Sequence, residues 1–275
     1  MTGTDAPAAV AAGERPQAEI DARGDALKAL AEGGVPHLVA GAYAFHQYTG
    51  IFRDTKDLDV FLRERDLEAA LAALERAGFR TEIVDPTWIA KGYRGEWFVD
   101  LIHSSGNGVA VVDDRWFEHA RPGTVLGQPV MLAPPEEMIW SKGFVLERER
   151  FDGHDVNHLL HACADTIDWT RLLERFERYP EVLLAHLLLF RFAYPGERDR
   201  VPAFVIDRLV EQARTQNGVP DRICRGTLIS RVHYQHDLDV HGYADGRRWD
   251  EADRAEGGKA GDGGRERDLP AGGGR

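Results

Sequence analysis

The chain has 275 residues, 43% hydrophobic and 29% charged, with a formal net charge of -12. That is enough apolar material for one large domain or two small ones with a real core. The acidic balance speaks against a broad basic nucleic-acid surface while leaving room for a local basic groove.

Residues 1–20 include an acid at Asp5 and lack a basic segment followed by a long apolar run. They read as a disordered leader, not a signal peptide. From 21 to 133 short strands alternate with helices. A helix is expected around Ala26–Ala31, a strand over His37–Ala40 and a second helix over Tyr43–Tyr48. A strand over Asp57–Leu62 follows. Leu67, Leu71 and Leu74 then fall at helical spacing, and Gly78 stops that helix. Thr81–Val84 and Glu96–His103 read as further strands, and Asn107-Gly108 as a hairpin turn. Alternation of this kind predicts an α+β fold, a mixed sheet flanked by helices.

The pattern changes at Pro134. Two prolines followed by Glu136 and Glu137 make a good helix start, because proline suits the first turn and acids suit the positive end of the dipole. Helices are expected to Glu149, over Asp155–Ala164, Trp169–Arg178, Ala203–Ala213 and Leu228–Asp237, with breaks at Pro180, Pro195 and Pro220. The apolar run Val182–Phe192 is interrupted by His186 and Arg191 and is too short to span a bilayer, so it reads as a buried helix. The all-helical region thus covers 134–243. Residues 244–275, rich in glycine and mixed charge, read as a disordered tail. Cys163 and Cys224 lie far apart without a CxxC pairing and read as reduced core thiols in a cytoplasmic protein.

The chemistry concentrates between Gly41 and Asp59. On a strand, Asp57 and Asp59 point to one side while Leu58 and Val60 enter the core. Two carboxylates side by side repel each other unless a cation neutralises them, which points to a divalent metal. The glycine turn upstream adds a phosphate carried by that metal. In the strand Glu96–His103, Val99 and Leu101 face the core, so Asp100 stands on the open face.

This ordered set resembles the DNA polymerase β-like nucleotidyltransferase superfamily, with its glycine turn, Asp-x-Asp strand and third aspartate on a neighbouring strand. Within it the chain is most similar to bacterial nucleotidyltransferase family proteins related to abortive-infection toxins. The matching residues are Gly41-Ala42-Tyr43-Ala44-Phe45 and Arg53-Asp54-Thr55-Lys56-Asp57-Leu58-Asp59. The likeness continues through Pro135-Glu136-Glu137, Lys142 and the segment Glu147–Asp155, and covers roughly residues 34–175. It implies a nucleotidyltransferase fold in which Asp57, Asp59 and Asp100 are catalytic and hold two Mg²⁺ ions. Gly41, Ala42, Arg53, Thr55 and Lys142 would bind the NTP. Magnesium suits this set because it takes hard oxygen ligands. Ala42 departs from the pattern, since a serine there would offer a hydroxyl to the terminal phosphate.

The activity implied is transfer of NMP from an NTP to a hydroxyl on a small molecule, an RNA 3′ end or a protein, with no membrane partner. The competing readings are a catalytically silent nucleotide-binding module and a toxin-like enzyme acting on tRNA. The last would want a basic groove built from Lys56, Arg63, Arg65, Lys91 and Arg94. Arg53 has the alternative of a surface ion pair with Asp54. His154, His158 and His161 share one helix face, but with no cysteine or fourth ligand nearby they read as packing or substrate-facing groups rather than a zinc site. Trp88, Tyr93 and Trp97 read as cover for one face of the sheet in preference to an acceptor cleft.

Overall fold

The computed structural model describes residues 15–53, 55–215 and 222–248. Most of the expected leader and tail, Asp54 and the Pro220 break lie outside them. The leader expected over 1–20 gives way earlier, because α1 (Gln17–Glu32) already includes 17–20. Its inner face carries Ala22, Ala26, Leu27 and Leu30, and buried Glu19 pairs with Arg23 at 2.5 Å. An apolar face of that length has to be covered, which fixes the helix on the sheet.

The next elements are β1 (Leu38–Val39), α2 (Gly41–Thr49), β2 (Asp59–Phe61) and α3 (Leu67–Arg76). The expected strand over 57–62 is shorter than predicted, so Asp57 sits in the bend before it rather than on it. Leu58, Val60 and Leu62 are nonetheless fully buried. Leu74, Ala70 and Ala73 hold α3 against α1, and Gly78 ends the turn after it in a left-handed conformation at φ 86°.

β3 (Arg80–Asp85), β4 (Ile89–Arg94) and β5 (Trp97–Ile102) form an antiparallel meander. Asn107 and Gly108 do form a tight turn, closed by Gly108 N–H on Ser105 O at 2.7 Å. No strand pair flanks it, and the loop leads to α4 (Asp114–Glu118). A hairpin of β6 (Arg121–Val125) and β7 (Gln128–Leu132) completes the sheet. The strand order is β3-β4-β5-β2-β1-β7-β6. β2 runs parallel to β5 and β1 parallel to β7, the other pairs being antiparallel. This is the α+β architecture expected from the sequence, a mixed sheet flanked by helices.

Helices follow as α5 (Pro135–Gly143), α6 (Gly153–Cys163), α7 (Trp169–Arg175), α8 (Pro180–Ala193) and α9 (Ala203–Thr215). The helix expected to reach Glu149 stops at Gly143, and a loop closed by the Leu146–Phe151 bridge takes its place. α8 is not the buried helix expected. His186 is buried against the Gly143 carbonyl at 2.8 Å, but Leu188, Leu189 and Phe192 are exposed. Nor is the C-terminal region all-helical. β8 (Ile223–Cys224) pairs in parallel with the later β9 (Ala244–Asp245), and α10 (Gln235–Asp239) lies between them. The helix expected from Leu228 is replaced by a 3-10 turn over Arg225–Leu228 and this short α10. Ala244 and Asp245 are therefore structured, although they fall in the expected tail. Cys163 is buried and Cys224 only half-buried, and neither is in a disulfide. Among the described residues no helix is long and apolar enough to cross a membrane.

Candidate active site

β1 ends at Val39, and Gly41 starts α2 at φ 55°. The side of Gly41 is filled by a neighbour: a Cβ built there would lie 1.7 Å from Asp59 Oδ2. The backbone locks the same two segments, because Ala40 N–H donates to the Asp59 carbonyl at 3.0 Å. Glycine at 41 thus allows the helix start and the Asp59 carboxylate to touch.

Asp59 and Asp100 are register partners on parallel β2 and β5. Asp57 joins them from the bend before β2, where Thr55 Oγ1 donates to its carboxylate. One carboxylate oxygen from each of Asp57, Asp59 and Asp100 lies within 4.8 Å of the others. Burial, then the charges of Asp57 and Asp100, push Asp59 up to about 7, against the pull of Lys142 and Arg150. Burial also raises Asp100, which Lys91 partly offsets at 2.6 Å. Asp100 faces the cavity but is only 6% exposed, so the open face expected for it is enclosed.

The triad lies on one wall of a cavity of about 580 Å³. Lys142 from α5 lines the same cavity, 3.0 Å from Asp152 and 2.9 Å from Asp155. Arg53 pairs with Asp155 at 2.7 Å and lies over the Phe45 ring. The partner expected for it in sequence, Asp54, is outside the described residues. Arg53 Nε is buried without a hydrogen-bond partner. Arg150 holds Asp152 at 3.2 Å, and although burial works against that carboxylate, Lys142 and Arg150 keep it below the usual range. Gly41, Ala42 and Thr55 also line the cavity.

Arg150, Asp152, Asp155 and Trp88 extend the site beyond the residues expected from sequence. The Asp152-x-x-Asp155 spacing at the start of α6 carries a signal for the first three, since it sets both carboxylates toward Lys142. Trp88, at the tip between β3 and β4, lines the cavity beside Ser104, Ser105 and Gly106, where the sequence suggested mere sheet cover. Tyr93 conforms to that expectation, packing on Phe98 with ring centroids 5.9 Å apart, and Trp97 is not on the cavity wall. Of the three histidines only His154 lines the cavity. His158 sits edge-on to Phe45 and His161 pairs with Glu197. The residues suggested for a basic groove are largely engaged: Arg63 and Arg65 with Asp114, Arg94 with Asp25, and Lys91 with Asp100.

Three converging carboxylates, one of them pushed up to about 7 by burial and then by the charges of the other two, fit a hard divalent cation such as Mg²⁺. Lys142, Arg150 and the orphaned Arg53 Nε, together with the start of α2, fit an anion such as a polyphosphate.

The solved structures similar to this chain include the antibiotic-resistance factor ANT(2″)-Ia, 16% identical over 66% of this chain and 96% of that one, with a TM-score of 0.42. The lincomycin-bound lincosamide adenylyltransferase LnuA is 15% identical over 50% of this chain and 94% of its own, with a TM-score of 0.38. An antigenic nucleotidyltransferase-like protein from Paracoccidioides brasiliensis is 17% identical over 68% and 93%, with a TM-score of 0.44. No curated protein matches the chain. A family model described as "uncharacterised nucleotidyltransferase" matches residues 22–191, from α1 through the sheet and into α8, and the chain belongs to that family.

Proposed function

We propose that the protein transfers a nucleoside monophosphate from an NTP to a hydroxyl acceptor, the acceptor oxygen bonding to the α-phosphorus as the bond to the departing pyrophosphate breaks. The observation that carries this reading is the convergence of the Asp57, Asp59 and Asp100 carboxylates in one cavity with Lys142 and Arg53. Asp57 and Asp59 would hold two Mg²⁺ ions, with Asp100 completing the site of one. Bound there, magnesium would offset charge on the transferred phosphoryl group and favour ionisation of the acceptor hydroxyl.

The chain's own groups supply the rest. Arg53, Lys142 and Arg150 meet the triphosphate with fixed positive charge, where charge neutralisation and positioning do most of the catalysis. To do so Lys142 trades contacts with Asp152 and Asp155 for phosphate oxygens. Backbone N–H groups at the start of α2 favour the same anion, and Ala42 leaves that task to the backbone. Asp100, whose protonated form is favoured by burial, takes the acceptor proton on a carboxylate oxygen. Trp88, Ser104 and Ser105, also on the cavity wall, receive the acceptor. We further divide the chain into a nucleotidyltransferase part over 21–133 and a helical part over 134–243, supported by the last strand of the large sheet ending at Leu132 and α5 beginning at Pro135.

The test is incubation of the purified protein with Mg²⁺, each α-labelled NTP and pooled hydroxyl acceptors, beside Asp57→Asn/Asp59→Asn. Magnesium-dependent labelling lost in the double variant is expected. No labelling of any acceptor, or equal labelling by the variant, overturns the reading.

A further inference from the structure

Lys91 approaches the triad from behind. It lies on β4 as the register partner of Asp100 on β5, and its Nζ is 2.6 Å from Asp100 Oδ1. The same Nζ is 4.1 Å from the centroid of Phe98, two residues before Asp100 and so on the same strand face. The Lys91 side chain is 21% exposed and that of Asp100 8%. Asp100 is part of the cavity wall and Lys91 is not. A lysine on a sheet ordinarily extends its flexible stem into water. Here a carboxylate and an aromatic face hold the ammonium in place.

That placement bears on the charge of the site. Three carboxylates within 4.8 Å carry three negative charges when ionised. One fixed ammonium brings the group to two, the charge a single divalent ion balances. It also engages one oxygen of Asp100 and leaves the other for chemistry. We infer that Lys91 is a positioning residue and built-in counter-cation of the triad. It fixes the orientation of Asp100 and moderates the pull of the nucleotide-free site on divalent ions, so that full loading awaits the negative charge of the NTP. The inference rests on the nucleotidyl-transfer reading above. The role is distinct from that of Lys142, which lines the cavity and is held by Asp152 and Asp155.

The experiment measures Mn²⁺ binding to the full-length, nucleotide-free protein by calorimetry, for wild type, Lys91→Met, Lys91→Gln, Lys91→Arg and Asp57→Asn/Asp59→Asn. Two charge-free variants are used so that a folding defect in one leaves the other to report. Removing a unit charge beside the site is expected to tighten Mn²⁺ roughly tenfold in Lys91→Met and Lys91→Gln. Lys91→Arg, which keeps the charge, is expected to bind as wild type does. In steady-state transfer the charge-free variants should lose kcat by about 10- to 100-fold through misorientation of Asp100 while KM for the NTP holds. Unchanged or weaker Mn²⁺ binding in the charge-free variants, with binding abolished in the double aspartate variant, overturns the role of Lys91 and leaves the nucleotidyl-transfer reading intact. Mn²⁺ binding absent from wild type, or indifferent to loss of Asp57 and Asp59, overturns that reading and this inference together.

Discussion

The Asp59 carboxylate occupies the space in which a side chain at Gly41 would begin, with Oδ2 1.7 Å from the position of a Cβ there. Gly41 also holds φ 55°, a conformation other residues adopt only at a cost. The two constraints act on one contact, since the helix start proposed above to meet the triphosphate is also the surface on which a triad carboxylate rests. Gly41→Ala is therefore expected to lower stability by about 2–4 kcal/mol and to abolish transfer. Thermal melts and labelling assays check this. Asp59→Ala in the same background should recover part of the stability, because the clashing carboxylate is gone, and none of the activity.

The raised Asp59 group gives a pH dependence with a definite sign. In the unfolded chain it loses its proton near 4, whereas in the folded protein it keeps the proton to about 7. Between those values the folded state binds more protons, so ligand-free stability falls as pH rises from about 4 to 7 and then levels. The loss is on the order of a few kcal/mol. Melting curves from pH 4.5 to 8.5 without divalent ions should show that decline from this group, and Asp59→Asn should flatten it and be the more stable protein at pH 8. A wild-type slope unaltered by that substitution rules Asp59 out as its source.

The proposed magnesium site draws on the same groups, with the opposite dependence. At pH 6 a cation must displace the Asp59 proton, and at pH 8 the carboxylate is already ionised. Added Mg²⁺ is therefore expected to raise the melting temperature more at pH 8 than at pH 6, and EDTA to reverse the gain. The pH difference should shrink in Asp59→Asn, leaving the part that Asp100 contributes.

Lys142 has a structural and a proposed catalytic task that substitution can separate. Its ammonium holds two largely buried carboxylates, Asp152 at 3.0 Å and Asp155 at 2.9 Å. Lys142→Met leaves them facing each other with Arg150 and Arg53 as remaining partners. A destabilisation of about 1–3 kcal/mol is expected, together with a rise in KM for the NTP. Adding Asp152→Asn relieves the repulsion and should restore the melting temperature while KM stays high. Recovery of both would leave Lys142 a purely structural residue.

How far the sequence reveals this arrangement depends on whether a residue's role is local. Leu67, Leu71 and Leu74 announce α3 because a helix writes its own period into the chain. The alternation around Asp100 marks β5 for the same reason. β4 contains Gly92 and Lys91, and β6 contains Pro122 and Gly123, so neither shows an apolar alternation. They exist because a neighbour needs them: Gly92 and Gly123 leave room for Leu74 and Leu132, whose atoms lie 2.6 Å from where a Cβ would be. Proline is tolerated in β6 because that strand is an edge. In the site, the order Gly41, Asp57, Asp59, Asp100 is legible as a chemical pattern. The meeting of Arg53 with Asp155 across 102 positions, and of Trp88 with the Ser104–Gly106 loop, is set by tertiary packing and leaves no local trace.

The last prediction concerns the buried ion cluster that joins α5 to α7. Glu136 and Glu137 are 0% exposed, and Arg171 reaches them at 2.6 and 2.5 Å. Arg175 continues the chain of contacts from Glu137 at 3.1 Å to Asp113, just before α4, at 2.6 Å. Removing one member strands a charge with no water to take its place. Arg171→Met is thus expected to cost about 3–5 kcal/mol, read as a melting temperature lower by roughly 10 °C. Adding Glu136→Gln and Glu137→Gln to Arg171→Met removes the stranded carboxylates while Arg175 keeps Asp113, and should recover much of the loss. None of these three side chains lines the cavity, so kcat measured well below the melting temperature should change little in either variant. A collapse of kcat in the folded triple variant would instead mean that the cluster sets the position of Lys142 through α5, and the measured KM for the NTP would then move with it.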